Sequence, residues 1–273
     1  MQDTLESIDV YACPDKGARR CRHWWFDAWD WAVNNSLRIA GVPRIRVEPG
    51  ETAIDPHIHT LFSHCSISQP ERILINAARL GLGGVAIMDH HDVKGALDTM
   101  RCADYLKIRG LIPEHFLVIP GVELNSTCGH IGALFVKENL PEQLTPEETV
   151  RVIHEAGGIA VAPHPYHSTG IGEAIFDAEF DAVEVECGSV FGSWLVKRNQ
   201  DLAADPRLTS VTKLGSSDAH YCNAVAYCYT VLKVREPSLE AVKQAIIEGR
   251  CVPRCSEPYM RTRRLLGRIP KLW

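Results

Sequence analysis

The sequence lacks the features that mark secreted, membrane-embedded and nucleic-acid-coating proteins. None of its apolar runs reaches the roughly 18 residues of a membrane-spanning helix. Residues 1–10 lack the basic and apolar regions of a signal peptide. Charge of one sign does not dominate either, because the formal net charge is −5 over 273 residues. We therefore expect a soluble, cytoplasmic protein with no membrane partner.

Two common catalytic signatures and the usual zinc-binding cysteine pair are also missing. The sequence contains no glycine-rich phosphate loop, no serine–histidine–aspartate nucleophile signature and no CxxC pair. Its ten cysteines are scattered, whereas a disulfide framework is typical of small secreted domains. Cys251 and Cys255 could join Cys13, Cys21 and His23 in a zinc site. We expect instead that most cysteines are reduced and that several lie in the core.

Short apolar runs alternate with helical patterns along most of the chain. The runs predict strands over residues 52–58, 84–88, 116–119, 130–136, 159–162, 182–185, 211–214 and 227–234. Apolar spacing and capping residues predict helices over residues 70–80, 96–108, 145–156 and 238–248. Repeated strand–helix units with continuous apolar strands favour an α/β fold with a parallel sheet covered by helices. About seven such units in one chain favour a closed barrel.

Histidine is the informative residue, with 12 in the chain. His57 and His59 lie two apart on a predicted strand, so both side chains point to one face and can reach one metal. Other polar groups follow later strands, in the segments DHHD (89–92), GVE (121–123), HP (164–165) and SSDAH (216–220). Barrel enzymes build their sites at the carboxyl ends of the strands. The pattern therefore predicts a multinuclear metal site.

Six segments resemble, in order, the motifs of a known family. They are DPHIHTLFSHCS, GVAIMDHHDVKGA, IPGVELNS, GHIGALFV, AVAPHPYH and LGSSDAH. The family is the polymerase and histidinol phosphatase (PHP) group of metal-dependent phosphoesterases, and the resemblance covers roughly residues 51–250. It implies a distorted seven-stranded (βα) barrel of the TIM type that holds up to three divalent ions of manganese, iron or zinc.

The resemblance also implies nine metal ligands. They are His57, His59 and Asp218 for a first metal; Glu123, bridging to the first, with His130 and His164 for a second; and His64, His90 and His220 for a third. The chain departs from the family pattern at His64, where aspartate is usual, and at Cys65, where glycine is common. We interpret Cys65 as a small buried residue rather than a ligand.

The implied chemistry is attack of a metal-activated hydroxide on a phosphate monoester or diester. Asp218 and His91 are the candidates for proton transfer, and His167 and Lys94 are candidates for phosphate contacts, although both could simply face solvent. The expected substrate is a phosphorylated small molecule or a nucleotide, and nucleic acid is compatible but not required. Two alternatives stay open: a barrel amidohydrolase that cleaves C–N bonds, and a PHP module that binds without catalysis.

Two regions lie outside the resemblance. Residues 1–50 are predicted to form an N-terminal helical extension packed on the barrel, whose tryptophans could alternatively make an oligomer contact or a lid; these are Trp24, Trp25, Trp29 and Trp31. Residues 51–256 are predicted to form the PHP domain. Residues 257–273 are predicted to form a basic C-terminal tail.

Overall fold

The computed structural model describes residues 44–190, 193–257, 259 and 260. The tryptophan-rich segment and nearly all of the basic tail lie outside these residues. The N-terminal helical extension and its oligomer contact therefore stay predictions. Within the described part, none of the helices is both long enough and apolar enough to cross a membrane.

The described residues contain nine strands and five α-helices. The strands are β1 (Thr52–Ile58), β2 (Gly84–Ile87), β3 (Leu117–Asn125), β4 (His130–Leu134), β5 (Ile159–Ala162), β6 (Ala182–Cys187), β7 (Thr212–Ser216), β8 (Cys228–Leu232) and β9 (Cys251–Cys255). The helices are α1 (Pro70–Leu80), α2 (Lys94–Ile108), α3 (Pro146–Glu155), α4 (Ser193–Asp201) and α5 (Leu239–Ile247).

The nine strands form one sheet in the order β7-β6-β5-β4-β3-β2-β1-β8-β9. The sheet curls until β7 meets β8, where the Thr230 hydroxyl bonds both the amide and the carbonyl of Gly215 at 2.9 and 2.8 Å. Ser217 N also donates to Asp55 Oδ1 on β1 at 2.9 Å. The barrel is therefore nearly closed, and its sheet has nine strands in the described residues instead of the seven that we expected.

The prediction of a parallel sheet is wrong for part of the barrel. The β1–β2, β2–β3, β5–β6 and β6–β7 pairs are parallel, but β3–β4, β4–β5, β1–β8 and β8–β9 are antiparallel. The connection from β3 to β4 is the short turn 126–129, in which Ser126 N donates to Gly129 O. A parallel crossover needs a dozen or more residues, so this short turn forces a hairpin.

Local signals explain the helices that flank the sheet. Pro70 occupies the first turn of α1, and Gly81 ends that helix with φ 92°, a left-handed conformation that glycine adopts without a steric penalty. Thr145 and Glu148 form the predicted capping box at the start of α3. Ser238 caps α5 by accepting a hydrogen bond from Ala241 N. These caps fix where each helix begins or ends relative to its strand.

One apolar cluster joins residues from all of the strands β1 to β8 with Val242, Ala245 and Ile246 of α5. Ile54 belongs to this cluster, and His57 lies three residues further along β1, toward its carboxyl end. Polar side chains can therefore gather at that end while α5 packs against the apolar cluster.

Candidate functional site

The polar residues predicted from strand ends converge on one pocket of about 280 Å³. Eight of its thirteen lining residues are histidines; the lining is His59, His64, Cys65, His90, His91, Glu123, Asn125, His130, His164, His167, Thr169, Asp218 and His220. Eight of the nine ligands that the PHP resemblance implies are in this lining. The ninth, His57, is buried behind it, with Nε2 at 3.0 Å from His59 Nε2.

The inner cluster consists of His57, His59, Glu123, His164 and Asp218, all almost fully buried. His59 Nε2 lies 3.1 Å from Asp218 Oδ1 and 3.3 Å from Glu123 Oε2. His164 Nε2 lies 3.2 Å from Glu123 Oε1. His57 Nε2 lies 3.5 Å from Asp218 Oδ1. Two carboxylates and three imidazoles from β1, β3 and the ends of β5 and β7 therefore face a common centre.

A second set of side chains holds the inner imidazoles in place. Glu184 on β6 accepts from His57 Nδ1 at 2.9 Å and from the His164 amide at 3.0 Å. Ser63 Oγ lies 3.1 Å from His59 Nδ1 and donates to Asp89 Oδ1 at 2.6 Å. Because the outer ring nitrogens of His57 and His59 are engaged in this way, their Nε2 atoms are directed into the centre.

Asp89 is held at the middle of this support. It also accepts from the Thr60 amide at 2.7 Å and from the Thr60 hydroxyl at 2.6 Å. A side chain at Gly95, the second residue of α2, would overlap the Asp89 carboxylate. Glycine is therefore required there for the helix to approach the carboxylate so closely.

The carboxylates set the protonation of the inner cluster. Burial alone would lower the pKa of His57, but the charges of Glu184, Asp218 and Glu123 outweigh it and raise that pKa well above the usual value. Burial likewise opposes charge on His59, but the nearby carboxylates of Asp218 and Glu123 raise its pKa to about 9. Burial would raise the pKa of Glu123, yet His57, His130 and His164 hold it well below its usual range. The carboxylates thus favour positive charge at the centre.

The mouth cluster consists of Cys65, His90 and His220, which are only partly buried. These three and His59 each place one ligand atom within 4.8 Å of the others. Burial, with the neighbouring histidines, lowers the pKa of His90 to about 3, although Glu123 opposes the shift. Burial also lowers the pKa of His220 and raises the pKa of the Cys65 thiol to about 12. Without a cation, these imidazoles are therefore neutral near pH 7.

The donor set fits divalent metal ions. Nitrogens bound at about 2.1 Å and at a right angle to each other lie about 3.0 Å apart, which is the spacing between the Nε2 atoms of His57 and His59. Within the described residues, His130 Nδ1, His164 Nδ1 and Asp218 Oδ1 are buried without a partner in hydrogen-bond geometry. Three further groups each place their possible ligand atoms within 4.8 Å of one another, and some residues belong to more than one group. The groups are His57, His59 and Asp218; His57, Glu123 and His164; and His90, Glu123 and His130.

The backbone is strained at three residues of this pocket. His91, His164 and Asp218 have φ values of 69°, 29° and 49°, a region that residues with a Cβ seldom adopt. Such strain costs about 1–3 kcal/mol per residue and clusters at functional sites. The strain at these three positions is therefore consistent with a functional pocket.

The structure separates the remaining predicted site residues. His64 lines the pocket and its ring stacks on that of His90, with centroids 5.4 Å apart. His91 and His167 also line the pocket, and His91 Nδ1 lies 2.7 Å from Glu142 Oε2. Lys94 is absent from the lining: its ammonium pairs with Asp98 at 2.7 Å and lies over the Phe62 ring. The structure therefore does not bring Lys94 to the pocket.

Sequence reasoning missed the role of Glu184. The residue lies inside the predicted strand DAVEVEC, where its charge looks like the outward face of an amphipathic strand. A charged residue that shares a face with the apolar core positions of a strand is the signal that could have identified it. The prediction that Cys65 is a small buried residue also differs from the structure, because Cys65 is partly exposed in the pocket lining.

Three known proteins show what this chain is similar to. An uncharacterized protein of Methanocaldococcus jannaschii, MJ1587, is 36% identical over 143 residues, which are 48% of this chain and 79% of that protein. PsfC from Pseudomonas syringae PB-5123 has the same fold, with a TM-score of 0.56 and 17% identity over 80% of this chain and 97% of that one. A candidate metal-dependent phosphoesterase from Bifidobacterium adolescentis aligns with a TM-score of 0.48 and 16% identity over 81% of this chain and 98% of that one.

A family profile matches the segment that carries the last of the six motifs. The profile for PHP_C, the PHP-associated region, matches residues 207–251, which run from the end of the β6–β7 connection to the start of β9. This segment includes Asp218 and His220 of the pocket. Together with the PHP-type motifs, the metal-type donor set and the nearly closed barrel, this profile match leads to one conclusion: the chain belongs to the PHP family.

Proposed function

We propose that this protein hydrolyses phosphate esters with up to three divalent ions of manganese, iron or zinc. The observation that carries the proposal is the position of the Glu123 carboxylate. Its Oε1 lies 3.0 Å from His130 Nδ1 and 3.2 Å from His164 Nε2. Its Oε2 lies 3.2 Å from His90 Nδ1 and 3.3 Å from His59 Nε2. A carboxylate with imidazoles on both oxygens is suited to bridge two cations.

The inner cluster supplies most of the ligands. In this proposal, His57, His59 and Asp218 would hold one ion, and Glu123, His130 and His164 would hold a second, with Glu123 shared between the two. His90 and His220 would contribute to a third ion at the mouth. The His57 ring is pinned by Glu184 at 2.9 Å and the His59 ring by Ser63 at 3.1 Å, so both donors are fixed before any ion arrives.

When bound, close divalent ions lower the pKa of a shared water and neutralise charge on phosphate oxygens. The chain's own residues then orient the ester and move protons. Asp218, almost fully buried at the centre, is placed to hold a proton from the attacking water. His91 is half exposed at the mouth and held by Glu142, where it can supply a proton to the leaving group. His167 lines the same wall and can donate to a phosphate oxygen.

The size of the pocket supports a small phosphorylated substrate. Its volume of about 280 Å³ is just below the range of about 300–1,000 Å³ that is usual for small-molecule sites. A phosphate group with a sugar or nucleoside at the open end is consistent with that size. Nucleic acid stays a compatible substrate that the proposal does not require.

The test combines metal content with product analysis. Tag-free protein is analysed by plasma mass spectrometry and then assayed for phosphate release from a panel of phosphomonoesters, and for ammonia release from amides. We expect two to three ions per chain, release of phosphate, and loss of both in a His57→Gln variant. His154→Gln is the matched control, because His154 pairs with Asp181 outside the pocket. Ammonia without phosphate would indicate the amidohydrolase alternative, and absence of metal after manganese reconstitution would indicate a binding module.

A further inference from the structure

Cys65 lies at the mouth of the pocket beside the rings of His90 and His220. One ligand atom from each of these residues and from His59 lies within 4.8 Å of the others. Cys65 is partly exposed, and it belongs to none of the apolar clusters that the described residues form. Packing therefore does not explain a thiol at this position.

The loop before α1 places Cys65 against the segment that carries His220. Ser66 Oγ donates to the carbonyl of His59 and to the carbonyl of His220, each at 3.0 Å. The Ile67 amide donates to the same His220 carbonyl at 3.4 Å. These bonds flank Cys65 on its C-terminal side and attach the loop to both histidines, so the thiol position is fixed by the backbone.

His64 is placed differently from its neighbour. Its side chain is exposed, and its ring stacks on that of His90 with centroids 5.4 Å apart. Among the described residues, the groups whose ligand atoms lie within 4.8 Å of each other include Cys65 and omit His64. Either His64 or Cys65 could serve as the third ligand of the mouth metal, and the geometry favours the Cys65 thiol over the His64 imidazole.

We propose that Cys65 is the third protein ligand of the mouth metal, together with His90 and His220, and that this site selects zinc or iron over manganese or magnesium. The inference rests on the proposed function and names the ligand set and metal class of its third ion. Thiolate is a soft ligand, which suits zinc and ferrous iron, whereas manganese and magnesium prefer oxygen donors. The inner cluster, with two carboxylates, has no such preference.

Cobalt substitution tests the ligand directly. Protein stripped of metal and reloaded with Co²⁺ is expected to show a thiolate-to-cobalt charge-transfer band in the near ultraviolet, and three ions per chain. Cys65→Ser is expected to lose the band and one ion, while His64→Gln keeps both. Cys128→Ser is the matched thiol control, because Cys128 is exposed and outside the pocket lining. Circular dichroism confirms that each variant is folded.

The outcomes separate this inference from the proposed function. A third ion lost in His64→Gln but retained in Cys65→Ser overturns the assignment of the thiol. Wild-type protein that releases phosphate but shows no thiolate band also overturns it, and leaves the proposed function standing. A thiolate band in protein that releases no phosphate from any ester supports the ligand assignment and counts against the proposed function.

A different observation, in the β8–β9 pair, supports a second inference. Cys228 begins β8 and Cys255 ends β9, and the two residues are direct partners in the antiparallel pair. Their Sγ atoms are 2.7 Å apart, and Cys255 Sγ lies 3.3 Å from Glu186 Oε2. Two thiolates on one tetrahedral zinc ion, each at about 2.3 Å, would be about 3.8 Å apart. The spacing therefore favours a bond between the sulfurs over a shared metal.

The geometry points to Cys228 and Cys255 as a reversible disulfide formed by a low-molecular-weight disulfide such as oxidised glutathione. The partly exposed Cys255, as thiolate, attacks one sulfur of the oxidant and displaces one thiol. Cys228 then attacks the Cys255 sulfur of the mixed disulfide and displaces the second thiol. Both cysteine protons are released to the two departing thiolates, and the two electrons reduce the oxidant.

The disulfide would fix the chain that leads to Tyr259. Tyr259 is buried, and its hydroxyl donates to the carbonyls of Cys187 and Val190 at 3.0 and 3.2 Å. Its ring stacks on Tyr227, the residue before Cys228. A bond between β8 and β9 would therefore anchor the chain four residues before Tyr259, whose hydroxyl contacts the last residue of β6.

Intact mass and thermal melting test this pair. Incubation with oxidised glutathione is expected to lower the mass by about 2 Da, to give a linked peptide containing Cys228 and Cys255, and to raise Tm by several degrees until a thiol reductant is added. Cys228→Ser is expected to abolish all three changes, whereas Cys251→Ser, on the same strand as Cys255, leaves them intact. Oxidation that yields only mixed disulfides, or a zinc ion retained by these cysteines, overturns the inference.

Discussion

The inner and mouth clusters use the same residue type under opposite electrostatic conditions. Carboxylates raise the pKa of His57 and His59 despite complete burial. At the mouth, burial dominates and lowers the pKa of His90 and His220. A few ångströms therefore separate imidazoles that hold protons from imidazoles that do not. In this pocket, the charge state of a histidine therefore depends more on the number of adjacent carboxylates than on burial.

This difference affects how each cluster would accept a cation. At the centre, an arriving ion replaces protons that the carboxylates hold on the imidazoles, so binding there releases protons. At the mouth, the imidazoles are already neutral. We therefore expect the inner ions to bind more weakly as pH falls below about 9, while binding by the mouth imidazoles changes less over the same range.

Removing the bridging carboxylate is expected to have the largest effect. Glu123→Gln keeps the shape of the side chain but leaves the imidazoles on either side of it, His59, His90, His130 and His164, without their shared negative partner. We expect kcat for phosphate release to fall by about 10³-fold or more, which corresponds to about 4 kcal/mol. Metal content by plasma mass spectrometry should fall in parallel. Full activity in this variant would contradict the bridging role.

The next largest effect is expected at the carboxylate that supports the inner cluster. Glu184→Gln weakens the contacts to His57 Nδ1 and to the His164 amide, and partners of this kind contribute about 10–100-fold to metal affinity. Glu142→Gln is the matched control, because Glu142 contacts His91 Nδ1 at 2.7 Å and His91 is not among the proposed ligands. Competition with a fluorescent chelator measures the metal affinity of each variant. Equal losses in the two variants would contradict a supporting role specific to Glu184.

In the metal-free protein, the inner cluster should lower the stability of the fold at high pH, and the mouth cluster should lower it at low pH. The folded-state pKa of His59, about 9, exceeds its ordinary value, so its contribution to stability is complete below pH 6.5 and is lost as pH rises toward 9. The folded-state pKa of His90, about 3, lies below its ordinary value, so stability falls as pH drops from 6.5 toward 3. At full titration the alkaline loss of stability is on the order of 3 kcal/mol and the acid loss is on the order of 5 kcal/mol.

Urea unfolding in the presence of a chelator, repeated across the pH range, measures both losses of stability. The free energy of unfolding is expected to be greatest near about pH 6.5. His59→Gln should flatten the alkaline side, and His90→Gln should flatten the acid side. If both variants change the same side, the opposite shifts of the two clusters are wrong.

The sequence predicted what depends on local pattern and missed what depends on tertiary contact. The strand at β1, the helix at α1 and the Thr145 cap follow from neighbouring residues alone. Strand β9 was missed because CVPRC contains Pro253 and little apolar character, and it becomes a strand only by pairing with β8. Whether His64 or Cys65 enters the mouth cluster depends on a turn that no residue pattern specifies.

The smallest effect is expected at His167, which the sequence analysis paired with Lys94 as a candidate phosphate contact. His167 lines the pocket, 5.3 Å from the His164 ring by centroid, whereas Lys94 pairs with Asp98 outside the lining. His167→Ala is expected to raise KM about three- to ten-fold with little change in kcat, because one lost hydrogen bond to a charged phosphate is worth about 1 kcal/mol. Lys94→Ala should leave both constants unchanged. A larger effect from Lys94 would show that substrate extends over the start of α2, beyond both clusters.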